Sequence, residues 1–180
     1  MVNEKKVAIV GCGFVGSSSA FALMQSGLFS EMVLIDVDKN RAEGEALDIA
    51  HGMTFAEPMK IYAGDYSDVA DAAMIVVTAG AAQKPGETRL DMFDDSIRSA
   101  REVIGHLRKV NFRGIMISIS NPADIICEYI RRKMDWDPHR CFCTGTSLET
   151  FRMMRVLHEV TGVSRHSIQG FCMGEPVSYT

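Results

Sequence analysis

Residues 6–36 read KVAIVGCGFVGSSSAFALMQSGLFSEMVLID, and this stretch decides the fold of the chain. Val7–Val10 is an apolar run without polar alternation, which is typical of a parallel strand buried on both faces. A glycine-rich turn, Gly11–Gly16, follows, then a helical segment to about Gly27 and a second apolar strand, Met32–Ile35. Strand, turn, helix and strand in this order predict a βαβ unit with two parallel strands.

The turn has the full spacing G-x-G-x-x-G, and each glycine has its own predicted role. Gly11 allows the tight turn, Gly13 lets the backbone approach a pyrophosphate, and Gly16 lets the helix pack against the strand. Phe14 and Val15 complete the motif at the start of the helix, where unpaired amides and the positive end of the helix dipole favour phosphate. These five residues are therefore predicted to bind a dinucleotide.

Asp36 ends the second strand, about 20 residues beyond the glycines, where a carboxylate binds the 2′-hydroxyl of an adenosine ribose. An acid at this position disfavours a 2′-phosphate, so the sequence predicts NAD rather than NADP. The glycine pattern alone is a weak signal, since glycines often mark turns for structural reasons only. Its place between a strand and a helix, with the acid on the next strand, favours the dinucleotide over a plain turn.

Strand and helix patterns alternate along the rest of the chain, and they predict an α/β fold with a doubly wound parallel sheet, the Rossmann NAD-binding fold. The further predicted strands or extended segments are Met59–Ala63, Met74–Thr78, Ile115–Ile119, Cys141–Thr144 and His166–Met173. The further predicted helices are Lys39–His51, Asp91–Val110, Ala123–Lys133 and Ser147–Val160. A polar stretch, Asp135–Arg140, predicts a boundary between a dinucleotide-binding domain at 1–140 and the beginning of a second domain at 141–180.

The composition excludes several classes of protein. The 180 residues are 47% hydrophobic with a net charge of −4 spread along the chain, so neither nucleic acid nor an anionic membrane is an expected partner. No signal peptide and no apolar run of roughly 18 residues is present, which predicts a cytoplasmic protein. Five cysteines include Cys141 and Cys143 on one strand face, and without nearby histidine pairs they predict reduced thiols and no metal site.

Several independent motifs together resemble the lactate and malate dehydrogenase family, and within it the L-lactate branch. The resemblance covers about Lys5 to Glu175. It rests on the motifs at Gly11–Gly16, Thr78–Gly80, Gln83–Leu90, Ser120–Pro122 and Gly145–Arg152. It implies an NAD-dependent oxidoreductase for a small 2-hydroxy or 2-oxo acid, lactate or pyruvate, with an α+β substrate domain after the Rossmann domain and homotetramers among full-length relatives.

The resemblance also implies individual residue roles. Arg89 matches the arginine that closes over the substrate and polarises its carbonyl. Asn121 matches the asparagine near the reacting carbonyl and the cofactor, and Arg152 matches the arginine that holds the substrate carboxylate through two parallel hydrogen bonds. Without the family, Arg89 would be read as a solvated loop residue and Arg152 as a surface partner of Glu149.

Thr78, Ala79 and Gly80 follow a strand at the edge where loops line the ligand crevice of an open sheet, and they are predicted to bind the cofactor. Gln83 is neutral where malate dehydrogenases typically have a cation, which favours pyruvate and lactate over oxaloacetate and malate. Lys84, beside it on the same loop, could supply such a cation. A malate or other 2-hydroxy acid dehydrogenase is therefore kept as an alternative.

Two positions depart from the family pattern. Glu149 stands where the family usually has the aspartate that orients the catalytic histidine, and it adds one methylene. Pro176 stands where the family has the histidine itself, and proline has no proton to exchange. We therefore expect a truncated chain of lactate dehydrogenase lineage, either an enzyme whose turnover is severely impaired or a non-catalytic NAD-binding fragment.

Overall fold

The computed structural model describes residues 2–80 and 93–174. Six strands of this part of the chain form one parallel sheet. They are Asn3–Val10 (β1), Glu31–Ile35 (β2), Lys60–Ala63 (β3), Ala72–Val77 (β4), Ile115–Ser118 (β5) and Cys141–Cys143 (β6). Five α-helices accompany them, namely Phe14–Ser26 (α1), Lys39–His51 (α2), Phe93–Lys109 (α3), Ala123–Met134 (α4) and Ser147–Thr161 (α5).

The order of the strands in the sheet is β3-β2-β1-β4-β5-β6. The chain runs outward from β1 to one edge, crosses back to β4 beside β1, and then runs to the other edge. This is the strand order of the dinucleotide-binding fold, and it confirms the predicted doubly wound parallel sheet. The order reverses between β1 and β4, so a crevice opens at the carboxyl ends of these two strands.

Alternate side chains of β1 belong to different hydrophobic cores. Val7 and Ile9 pack into the core that includes helices α1 and α2, whereas Ala8 and Val10 pack into the core that includes α3 and α4. All four side chains are at most 3% exposed. Both faces of the central strand are therefore covered, which explains why its sequence shows no alternation of polar and apolar residues.

The helix ends follow local signals in the sequence. Asp38 precedes α2, and its side chain accepts hydrogen bonds from the amides of Asn40 and Arg41. Gly27 ends α1 with a φ of 65°, a left-handed conformation that suits glycine. These caps place the start of α2 and the end of α1 within a residue of where the sequence predicts them.

Lys6 is a buried charged residue at the base of the sheet, only 5% exposed. Its Nζ donates to Asp71 Oδ1 at 2.9 Å and lies 3.5 Å from Glu31 Oε1, and the hydroxyl of Tyr62 donates to the same Glu31 oxygen at 2.9 Å. Burial acts to lower the pKa of Lys6, but the hydrogen bonds with Asp71 and Tyr62 outweigh it and raise that pKa. The network ties β1 to β2, β3 and the start of β4.

The chain divides into two compact units, Met1–Cys143 and Thr144–Thr180. The predicted second domain began at residue 141, but residues 141–143 are β6, paired through Met116↔Cys141 to β5. These residues complete the sheet, as the strand predicted at Cys141–Thr144 requires, and the domain boundary predicted after residue 140 stays a prediction.

In the second unit α5 is followed by a short 3-10 turn, Arg165–Ser167. The prediction of an extended segment at His166–Met173 is wrong for its first two residues, which lie in this turn, and the described remainder pairs with no strand. Cys172 is held by side chains instead, because its amide donates to Thr150 Oγ1 at 3.1 Å and its carbonyl accepts from Thr146 Oγ1 at 2.5 Å.

Within residues 2–80 and 93–174, none of the helices combines the length and the apolar character that crossing a bilayer would require.

Replacing Lys6 with methionine tests the buried network. We expect Lys6→Met to lower the free energy of unfolding by about 2 kcal/mol, because it leaves two carboxylates and a tyrosine without their shared donor. Lys5→Met is the matched control at an exposed position, and it should change the free energy by less than about 0.5 kcal/mol. Urea unfolding followed by circular dichroism measures both, and equal losses would contradict the role of the network.

Candidate functional site

A cavity of about 810 Å³ lies at the carboxyl ends of β1, β2 and β4, at the point where the strand order reverses. Its walls include Val10–Phe14 from the glycine-rich turn, Ile35–Val37 after β2 and Thr78–Gly80 after β4. The other described residues in the walls are Lys39, Arg41, Glu45, Gly64, Asp65, Tyr66, Ser99, Glu102, Val103 and His106. The volume is in the range of pockets that hold cofactors and other small molecules.

The glycine-rich turn is packed too closely for side chains at two of its glycines. Gly11 has a φ of +96°, and a Cβ there would lie 2.8 Å from the hydroxyl of Thr78. A Cβ on Gly16 would lie 1.8 Å from the carbonyl oxygen of Gly11, which no adjustment of a side chain could relieve. Gly16 thus lets α1 start directly against the turn, as its predicted role requires.

Thr78 fastens the turn to β4. Its amide donates to Val10 O at 2.8 Å and its hydroxyl donates to Gly11 O at 2.8 Å. The sequence predicts Thr78 as a cofactor residue, and the structure places it both in the cavity wall and under the turn. Its hydroxyl is committed to the backbone, so its first effect is to position Gly11.

Asp36 joins the turn to the end of β2. One carboxylate oxygen accepts the amide of Cys12 at 2.6 Å, and the other accepts the amide of Asp38 at 2.9 Å. Each carboxylate oxygen has a second lone pair, so the group keeps acceptor capacity toward the cavity. These two bonds fix the position of the carboxylate in the cavity wall.

The start of α1 is suited to an anion. Gly13 precedes the helix without a side-chain cap, and the first turn carries no acidic residue. A Cβ built on Gly13 would meet no atom within 4 Å, so the backbone here opens onto free space beside the cavity. Amides at a helix start with open space before them fit a pyrophosphate, and the residues present therefore fit a dinucleotide.

Cys12 lies inside the turn with 1% of its surface exposed. Burial, followed by the negative charge of Asp36, raises the pKa of this thiol to about 12. The thiol therefore stays neutral near pH 7 and adds no negative charge beside the position of the phosphates.

Charged residues and a ring pair also line the cavity. Tyr66 stacks on His106 with ring centroids 4.1 Å apart and an angle of 4° between the planes. Burial, followed by the charges of Glu102 and Asp36, raises the pKa of Tyr66, so its hydroxyl stays protonated. The charged side chains in these walls are Lys39, Arg41, Asp36, Glu45, Asp65 and Glu102, so carboxylates outnumber cationic side chains.

Asn121 follows β5 and is exposed, and it is not part of the described cavity wall. The neighbouring Ser120 links the two loops, because its hydroxyl donates to Ala79 O at 2.6 Å. Val15 and Gly16 also lie outside the wall, behind the turn. Of the predicted cofactor residues, the structure thus brings together Gly11, Gly13, Phe14, Asp36, Thr78, Ala79 and Gly80.

The second unit carries two predicted substrate-site residues on α5. Arg152 and Glu149 form an ion pair, with Nη1 3.8 Å from Oε1, and the arginine side chain is 65% exposed. This is the surface pairing that the spacing of three residues allows. Gln83 and Arg89 and the proline at 176 lie outside the residues that the structure describes, so their predicted roles stay predictions.

Sequence reasoning missed Ser120, Tyr66 and His106. Ser120 had a signal, since it precedes Asn121 in the Ser120–Pro122 motif. Tyr66 also had one, because it follows β3 at the same sheet edge as Asp36. His106 lies in the last turn of α3, and no sequence pattern indicated a role for it, because only the packing of that helix brings it to the cavity. Among the described residues, no group of three histidine, cysteine or acidic side chains is arranged to hold a metal ion.

Comparisons with known proteins agree with this geometry. A family model described as the NAD binding domain of lactate/malate dehydrogenase matches residues 5–143. The chain is 43% identical to an L-lactate dehydrogenase of Priestia megaterium over 173 residues, 96% of this chain and 54% of that protein. It is 41% identical to L-lactate dehydrogenase 1 of Clostridium acetobutylicum, covering 97% of this chain and 56% of that one.

A solved structure shows the same similarity in three dimensions. The minor L-lactate dehydrogenase of Enterococcus mundtii, in its ligands-bound form, superposes with a TM-score of 0.91 at 38% identity, over 96% of this chain and 55% of that one. The chain therefore spans about half the length of the relatives it matches.

Gly16→Ala tests the packing under the turn. We expect it to weaken NADH binding by at least about tenfold, because the new Cβ displaces the Gly11 carbonyl and with it the amides that face the phosphates. Gly44→Ala is the matched control, since a Cβ there meets nothing within 4 Å and the residue lies inside α2. That control should leave binding unchanged and stabilise the fold by about 0.5 to 1 kcal/mol. Titration of NADH fluorescence measures the affinities, and an unaltered affinity of Gly16→Ala would contradict the assignment.

Proposed function

Because the chain belongs to the lactate/malate dehydrogenase family, we propose that its function is that of an L-lactate dehydrogenase, which transfers a hydride between NAD and lactate or pyruvate. The observation that carries the proposal is the cavity at the β1/β4 crevice, where the glycine turn and Asp36 converge. NAD is the cofactor of this family's nucleotide-binding domain, which the chain contains at residues 5–143. When bound, NAD supplies or accepts the hydride.

The residues of the first unit would bind and orient the cofactor. The amides at the start of α1 would hold the pyrophosphate, and Asp36 would accept the ribose hydroxyls. Thr78 and Ser120 act indirectly, since their hydroxyls fix the Gly11 and Ala79 carbonyls. These two hydrogen bonds fix the loops at the opening of the crevice. A nicotinamide ring can be positioned only if these loops keep one conformation.

The substrate side of the proposal rests on four residues. Arg89 would polarise the reacting carbonyl, Asn121 would donate a hydrogen bond near it, and Arg152 would hold the carboxylate of the substrate. Gln83 would accept a methyl group where a second carboxylate would be left unpaired, which favours pyruvate over oxaloacetate. The exposure of Arg152 and its single long contact with Glu149 leave its planar guanidinium available for a carboxylate.

The proton step is where this chain differs from the family pattern. Glu149 would orient a histidine, but position 176 holds a proline, which cannot donate or accept a proton. We therefore propose that the 180-residue chain binds NADH while turning over pyruvate close to background. A non-catalytic NAD-binding protein is the second candidate, and Pro176 is the residue that favours it.

A cytoplasmic location and the absence of nucleic acid and membrane partners are also proposed. They are supported by the net charge of −4 and the lack of a basic stripe. A homotetramer among full-length relatives stays a prediction from the family resemblance.

Asp36→Asn tests the cofactor site. We expect NADH to bind this variant about tenfold or more weakly, because hydrogen bonds to a charged acceptor contribute about 1.5 to 3 kcal/mol. The preference for NADH over NADPH should fall as well, since the repelling charge is removed. Glu43→Gln is the matched control, an exposed acid on α2 away from the cavity wall. Fluorescence titration with both cofactors measures these affinities, and equal affinities of wild type and Asp36→Asn would refute the ribose assignment.

Pyruvate-dependent oxidation of NADH by the 180-residue chain tests the catalytic proposal. We expect binding of NADH without measurable turnover, because general acid and base catalysis contributes typically about 10²- to 10⁴-fold. Pro176→His is the informative variant, and a gain of turnover in it would support the assignment of the proton step. Turnover by the unmodified chain at the rate of an ordinary dehydrogenase would disprove the role given to position 176.

A further inference from the structure

Two buried thiols meet at the β6 edge of the sheet. The Sγ atoms of Cys127 on α4 and Cys141 on β6 lie 3.4 Å apart, although the residues are 14 positions apart in the sequence. Cys127 is 7% exposed and Cys141 is 6% exposed. None of the five cysteines forms a disulfide in this structure. The pairing was not predicted from the sequence, which indicated only that Cys141 and Cys143 share a strand face.

Regular elements, not loops, hold the two thiols together. Cys127 lies on the buried face of α4 with Ala123, Ile126 and Ile130, at helical spacing. Cys141 is the first residue of β6, and it pairs with Met116 of β5. A disulfide has an S–S bond of about 2.05 Å, so the two sulfurs need to approach by about 1.4 Å for the bond to form.

The polar surroundings of Cys141 differ from those of Cys143, its neighbour on the same strand. The hydrogen bond with Cys127 lowers the pKa of the Cys141 thiol against the opposing effect of burial, and the positive charge of Arg131 acts in the same direction as the hydrogen bond. A thiolate is the nucleophile in thiol oxidation, and a neighbouring thiol resolves the product. Cys143, which is partly exposed, donates its S–H to Asp124 Oδ1 at 2.8 Å.

We propose that Cys127 and Cys141 form a redox-sensitive modification site that a small peroxide converts reversibly into an intramolecular disulfide. The Cys141 thiol gives up its proton, its thiolate attacks one oxygen of hydrogen peroxide and the O–O bond breaks. A sulfenic acid forms, and the leaving hydroxide takes up the released proton to give one molecule of water. The Cys127 sulfur then attacks the sulfenic sulfur, the S–O bond breaks, and a second water leaves with the Cys127 proton. The two thiols together lose two electrons, and the peroxide takes them up.

The other two cysteines have no comparable partner among the described thiols. Cys12 lies in the glycine-rich turn, where its high pKa keeps it protonated. Cys172 lies in the second unit, where its Sγ contacts Met153 Sδ at 3.8 Å. The inference therefore concerns the pair Cys127 and Cys141, with Cys143, which also hydrogen-bonds Cys127, as the alternative partner that the variants test. It does not rest on the proposed dehydrogenase function.

Peroxide treatment of the 180-residue chain, followed by alkylation and mass spectrometry under non-reducing conditions, tests the proposal. We expect the number of alkylated cysteines to fall from five to three. Trypsin should release a cross-linked species that joins Gly114–Arg131 to Cys141–Arg152, with fragment ions that place the bond on Cys141. Dithiothreitol should restore all five thiols.

Three variants assign the pair. Cys143→Ser should keep the cross-link, and so should Cys172→Ser, which controls for an unrelated thiol. Cys127→Ala should lose it, and circular dichroism checks that this variant is folded. The wild-type mass measurement is decisive even where a variant fails to fold. No cross-linked peptide in the oxidised wild type, loss of the cross-link in Cys143→Ser, or failure of dithiothreitol to reverse it would overturn the proposal.

Discussion

The amide of Cys12 donates to the carboxylate of Asp36, and this one hydrogen bond of 2.6 Å joins the two halves of the nucleotide motif. The turn after β1 could adopt many conformations if its glycines were unrestrained, because glycine has more conformational freedom than any other residue. Asp36 restrains it from the side of β2, while the hydroxyl of Thr78 restrains it from the side of β4. Both neighbours of the central strand thus hold the same turn, and the shape of the cavity depends on them.

Much of the fold could be predicted because the central strands β1, β2 and β4 are largely buried and several helices carry local end signals. Asp38 and Gly27 mark helix ends through their own backbone and side-chain chemistry, which does not depend on distant contacts. The segment that was misplaced depends on distant contacts. The strand predicted at Cys141–Thr144 is present as β6, which pairs with β5, but residues 168–173 pair with no strand although their sequence allows an extended conformation.

The same distinction applies to the site. Gly11, Gly16 and Asp36 could be found from spacing alone, since the turn that they build is local and each position excludes other residues by sterics or charge. The stacked Tyr66 and His106 could not, because one follows β3 and the other ends α3, and no sequence pattern relates them. The meeting of Cys127 and Cys141 is likewise a product of how α4 packs on the sheet edge.

The contact between Thr78 and Gly11 spans 67 positions of the chain, and this separation has a kinetic consequence. Parallel strands joined by long crossovers form slowly, because the entropy of closing the intervening chain is lost before the contacts form. The hydroxyl of Thr78 can restrain the glycine turn only when β4 has docked beside β1, although β2, β3 and α2 come between these two strands in the sequence. Recovery of nucleotide binding during refolding should therefore follow completion of the central sheet, later than the appearance of helical signal from α1 and α2.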